Sequence, residues 1–180
     1  MSDPFKLRVL SAITDALKSI TPANGYVSDL SDFVPGDGVM TARVYRGRLW
    51  FGEESPLPMT SVLEGTAPGD ELSEPPQQTP RSEYEWPLIV QGFVKDDPQH
   101  PTDPAYFLLR DVKRRLAIEV KRKTAEHDSD ILGLGRGGCR VTALRIGTGS
   151  VRPADDISAR AYFWLSVVPT IYDDPLAPDA

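Results

Sequence analysis

The chain has 180 residues, enough to bury a proper core in one domain. Its 40% hydrophobic and 26% charged residues are the balance of a globular protein, not of a disordered or membrane-spanning one. A formal charge of −6 argues against general nucleic-acid binding by the whole molecule, and the single cysteine, Cys139, excludes an internal disulfide and a multi-cysteine zinc site.

The opening MSDPFKLRVL starts a charged amphipathic pattern at once, so no signal peptide is expected, and a reducing cytosol fits. The first helix is predicted over residues 4–20, with Ser2 or Asp3 as cap and Pro4 in the first turn. Leu10, Ile13, Leu17 and Ile20 recur at helical spacing beside Val9 and Ala16. Pro22 and Gly25 then stop it. A strand is predicted over 43–51, RVYRGRLWF, with Gly47 as a bulge or close approach. Another follows at 59–63, entered through the turn Pro56 to Pro58.

Residues 64–82, EGTAPGDELSEPPQQTPRS, hold almost no large apolar groups. Such a stretch buries too little surface to offset its ordering entropy, so a long mobile loop is expected, one that could order on a partner. A central strand follows at 86–94, because Leu88, Ile89 and Val90 are contiguous and apolar. The second helix has Asp103 as N-cap and Pro104 at its first position. Ala105, Leu108, Leu109, Val112 and Leu116 form its apolar side. A turn-rich connector is predicted over 125–138, then strands at 139–146 and 158–172, with Pro169 at a bulge or edge. The acidic end, 173–180, reads as a flexible tail. The expected fold is one α+β domain over 1–180. Its sheet is mostly antiparallel or mixed, and two main helices pack on one face.

The second helix is basic. Arg110, Lys113, Arg114, Arg115, Lys121, Arg122 and Lys123 face only Asp111 and Glu119 within it, a net +5 that leaves −11 on the rest. These seven bases are the candidate assembly interface. The layout suits contacts between neighbouring copies as well as a DNA-facing surface, and a solvated helix face is the plain alternative.

Catalytic signals are weak. Gly133, Gly135 and Gly138 in GLGRGG have dinucleotide-fingerprint spacing, but the predicted order is helix before and strand after, the reverse of what pyrophosphate binding needs. His100 and His127 have no histidine at ligand spacing, and Asp128 with Asp130 makes only a weak cation site. Cys139 reads as a small buried apolar residue, and the pairs Asp96-Asp97, Asp155-Asp156 and Asp173-Asp174 as loop acids. Tyr162, Phe163 and Trp164 could stack on bases, but only Arg160 accompanies them, so a core strand is expected. The sequence therefore predicts no enzyme, no catalytic residue, no metal site and no cofactor.

Four segments carry a resemblance: LRVLSAITDALKSITPANGY, VYRGRLWFGEESPLPMTSVLEG, WPLIVQGFVKDDPQHPTDPAYFLLRDVKRRL and VRPADDISARAYFWLSVVPTIYDDP. In texture and element order the chain resembles the tail terminator proteins of long-tailed bacteriophages, the lambda-type tail-end family. The stretch 64–82 is longer and more proline-rich than a minimal member would carry. The resemblance implies an α+β virion subunit, made in the host cytoplasm, that forms a ring of itself, a hexamer in that family. The ring would cap the tail tube, stop its polymerisation and offer the head connector a docking surface. Implied partners are the tail tube protein, head–tail connector proteins, and the sheath protein where a tail contracts. DNA would only pass through the lumen, and no membrane is involved. Two alternatives stay open: another neck component, such as a head–tail adaptor or tail completion protein, and a nucleotide-binding or hydrolytic enzyme built on the glycine connector.

Overall fold

A computed structural model describes residues 3–49, 51–52, 55–65, 82–155, 160–174 and 176. Two helices, α1 (Phe5–Lys18) and α2 (Asp103–Val120), pack against a mixed sheet of seven strands. The strands are β1 (Val44–Arg46), β2 (Met59–Glu64), β3 (Ser82–Glu85), β4 (Leu88–Val94), β5 (Arg140–Ile146), β6 (Ser150–Arg152) and β7 (Ala161–Asp173). The α+β architecture expected from the sequence is therefore the observed one. The expected mobile insert falls at 66–81 outside the described residues; Glu64 ends β2 and Ser82 opens β3.

The long strand β7 organises the sheet. β4 and β3 lie end to end along one side of it, and β5 and β6 along the other. β2 pairs antiparallel with β4, and β1 pairs parallel with β2 at the far edge. Pro169 was expected at an edge or bulge, yet it sits inside this central strand. The interruption is in its neighbour instead: Trp86 and Pro87 separate β3 from β4. Trp86 N–H donates to the Pro169 carbonyl at 2.9 Å. A residue's N–H and C=O point to the same side of a strand, so the donor that Pro169 lacks faces this gap in the pairing.

Alternation along the strands separates two faces. Leu88 and Val90 of β4, with Phe163, Leu165, Val167 and Ile171 of β7, point into the core under the helices. α1 contributes Phe5, Val9, Ile13 and Leu17, with Ile20 just beyond its end. Leu10, expected in this stripe, is only partly buried, and Phe5 takes its share. α2 contributes Leu108, Leu109, Val112 and Leu116 as predicted. The opposite sheet face carries a ring-to-ring series, Tyr45, Phe51, Phe93, Tyr162 and Trp164, with centroids 5.0–6.1 Å apart. Tyr162 is buried there and Trp164 is 38% exposed, so only Trp164 departs from the expected core role of this run.

Several boundaries move for local reasons. The strand predicted over 43–51 ends at Arg46, because Gly47 adopts φ 67° and turns the chain out. Asp103 is the first residue of α2 rather than its cap; Thr102 precedes it, and no side chain caps the helix. β3 was not predicted: SEYE carries two acids, and its register comes from pairing with the end of β7. Of the tail expected over 173–180, Asp173 instead closes β7 and Asp174 is buried. Residues 175 and 177–180 lie outside the described residues. Among the described residues no helix is long and apolar enough to cross a membrane.

Candidate interaction surface

Of the seven bases proposed from the sequence, Arg114, Arg115, Lys121, Arg122 and Lys123 line one shallow hollow at the end of α2, and Arg110, Lys113 and Arg114 line a groove beside its middle. They divide by what faces them. On the inner side of α2, Glu119 is buried and accepts Arg115 at 2.5 Å, one helical turn away, and Arg122 at 3.3 Å. Arg115 Nε also donates to the Ser19 hydroxyl after α1, tying the two helices together. Arg122 and Arg136 both approach the buried Asp130, at 3.8 and 3.5 Å, and Lys123 lies 3.7 Å from Asp128. The buried acids pair Arg115 and Arg122 within the chain, whereas the contact of Lys123 with Asp128 lies in solvent and is weak.

Asp111 is the second buried acid of α2. Its Oδ2 accepts the backbone N–H groups of Val27 and Ser28 at 2.9 and 2.8 Å, and its Oδ1 accepts Arg110 at 2.9 Å. Burial pushes its carboxyl up, but the Ser28 and Val27 N–H groups and the Arg110 guanidinium outweigh that and hold it below the usual carboxylate range. Asp111 thus clamps the segment after α1 onto α2. The sequence showed these acids only as charges on a basic helix; their burial could have been suspected from their spacing beside Leu108, Val112 and Leu116.

What remains is the outer face. Lys113, Arg114 and Lys121 have no carboxylate partner among the described residues; Lys113 donates to the Thr148 carbonyl and Arg114 to the Gly25 carbonyl. Arg114 also lies over the Tyr26 ring, and Arg110 over Phe107. Beside these cations Tyr106, Phe107 and Ile118 are 59%, 49% and 50% exposed. Residues 106, 107, 110, 113, 114, 117, 118 and 121 recur at helical spacing, so aromatics, aliphatics and cations share one stripe. A groove runs beside it, between α2 and the turn joining β5 to β6, lined by Tyr106, Leu109, Lys113, Ala117, Ile146 and Gly149. The apolar part of this stripe escaped the sequence reading, because Tyr106, Phe107 and Ile118 were not separated from the core positions beside them.

The remaining candidates fall elsewhere. The glycines of GLGRGG lead out of a short 3-10 turn (Ile131–Gly133) and into β5, not into a helix. A Cβ on Gly135 would lie 2.8 Å from the Asp130 Cα, so tight packing accounts for that residue. His100 and His127 are exposed in separate loops. Among the described residues no three His, Cys, Asp or Glu side chains are grouped to hold a metal. Cys139 is buried, with its Sγ 3.7 Å from Asp173. Burial and the neighbouring Asp173 carboxylate push its thiol up, the opposite of what activates a nucleophile. Tyr84, 3.3 Å from Asp173, is pushed up to about 12 by burial and that same carboxylate. Asp97 accepts the N–H groups of Gln99 and His100 and so shapes a loop, as expected. Asp155 accepts the Tyr162 hydroxyl at 2.7 Å; Asp156 lies outside the described residues. The third pair departs from its expected loop setting, since Asp173 belongs to β7. No protein-family model matches the chain, and no curated protein sequence matches it significantly.

Proposed function

We propose that this chain is a structural virion protein, a phage tail terminator. It would assemble as a ring on the last layer of tail tube, stop tube growth without catalysis, and present a new face to the head connector. The observation that carries the reading is the outer stripe of α2. It joins cations without carboxylate partners to exposed aromatic and aliphatic side chains, on a chain whose remainder is acidic. Such a surface favours association between copies, with opposite charge steering the encounter and apolar burial holding it. The order of elements and the four segments quoted above support the family. The mechanism would be mimicry. One face matches the exposed end of the tube and the other does not, so a contact that would propagate as a filament is closed off.

Deleting the gene from a phage that encodes the chain tests this. Tails of abnormal length, or tails that never join heads, are expected. Tails of normal length on infectious particles would reject it. Head joining lost with tube length unchanged would favour a head–tail adaptor instead.

A further inference from the structure

A second exposed apolar patch lies in the chain between the segment that Asp111 clamps and β1. Residues 33–41 form a short hairpin arm. Phe33 and Thr41 exchange backbone hydrogen bonds at 3.0 and 2.8 Å, and a turn closes from Gly38 N–H to the Pro35 carbonyl. The Asp37 carboxylate caps the Val39 N–H, and at the base the Arg43 guanidinium lies 4.4 Å over the Phe33 ring. The arm is held at both ends, yet Val34, Val39 and Met40 are 56%, 63% and 66% exposed. Asp37 is its only charge. Three large apolar side chains on one short arm form a local cluster, unlike single apolar residues scattered over a surface.

We propose that this arm docks into the α2 groove of a second copy of the chain. The two surfaces are complementary in kind. The arm offers aliphatic side chains around one carboxylate. The groove offers Leu109, Ala117 and Ile146 as its apolar lining, Tyr106 at its side, and Lys113 among its cations. They are also complementary in position. The arm leads into β1, the strand at one edge of the sheet, whereas α2 packs on β4, β7, β5 and β6 toward the opposite edge. A contact between them uses different patches on the two copies and leaves one arm and one groove open at the ends of any pair. It therefore repeats head to tail, and it closes into a ring when the rotation per copy allows. This deepens the ring reading and rests on it, by naming the surfaces through which neighbours meet.

The test is cysteine cross-linking of the full chain, since the native Cys139 is buried. Met40→Cys and Ala117→Cys proteins, each alone and mixed, are oxidised near 0.1 mM, and the wild type is sized by sedimentation at the same concentration. The mixture is expected to give disulfide-linked dimers that neither single variant gives, and the double variant Met40→Cys/Ala117→Cys a ladder of higher species. Charge exchange supplies the second arm. Asp37→Lys and Lys113→Glu should each weaken self-association about tenfold, and the two together should restore much of it. Both sites are at the surface, so circular dichroism should show intact folding. A chain that self-associates while the mixture cross-links no better than the single variants overturns the arm contact and leaves the ring reading standing. A chain that stays monomeric at all concentrations, alone and with tail-tube protein, overturns both.

Discussion

The two sides of α2 carry the same kinds of residue and do opposite things with them. On the inner side, Glu119 and Asp111 are buried, and each is met by several donors: Arg115 and Arg122 for one, two backbone N–H groups and Arg110 for the other. Desolvation is costly there, and the pairs persist because every carboxylate oxygen of the two acids is met by a donor. On the outer side, Lys113, Arg114 and Lys121 face carbonyls and water, with exposed rings between them. Charge inside the fold holds helices and loop in register. Charge outside it remains available to a partner. A count of bases along the helix merges these two roles.

Mutations can pull the two sides apart. The largest effect is expected for Asp111→Ala, which leaves the Val27 and Ser28 N–H groups without their acceptor. A loss of roughly 2–4 kcal/mol in denaturant unfolding is expected; a loss within error would mean that water replaces the carboxylate and that the clamp is not structural. Glu119→Ala strips the partner from Arg115, whose side chain is only 17% exposed. A loss of about 2 kcal/mol is expected, mainly from that unpaired cation. Charge reversal at the outer Lys113 and Lys121 should change stability by no more than about 0.5 kcal/mol. Self-association should fall instead. In the wild type it should weaken with salt, because exposed charges are screened within about 10 Å at 0.1 M. Arg115→Glu should behave oppositely, costing stability first. If Lys113→Glu and Arg115→Glu proved alike in unfolding and in association, the division of the helix would be wrong.

Acid gives a further, smaller distinction. The folded Asp111 carboxyl is held below its unfolded value, which is about 3.9. Its contribution to stability is thus complete above that value and is lost as pH falls through the lower, folded one. Replacing it by Asn should flatten stability as pH falls below about 4 relative to wild type. An unchanged acid limb in Asp111→Asn would assign that slope to other carboxyls.

Much of the fold was legible in the sequence because it rests on short-range periodicity. The α2 stripe of Leu108, Leu109, Val112 and Leu116 is the observed one, and the strand expected at 86–94 is central but starts at Leu88. The errors share a cause: they depend on contacts distant in the chain. β3 is a strand only because β7 continues past Pro169 to meet it. Pro169 is tolerated in a central strand only because Trp86 and Pro87 interrupt the partner at that point. The candidate surface was half legible. Its bases were visible, but which of them the fold pairs with a buried acid depends on Glu119, Asp130 and Asp111 arriving from particular directions. The apolar arm at 33–41 gave no signal, since VPGDGVM reads as an ordinary turn until its exposure is known.

Tube capping by this chain is open to direct measurement. Tail-tube protein from a phage encoding this chain is polymerised with and without it, and tube lengths are measured by electron microscopy. Short tubes with ring-shaped density at one end, and a length that falls as the chain is added, are the predicted result. Tubes of the same length in both reactions, with no density at either end, would contradict the account.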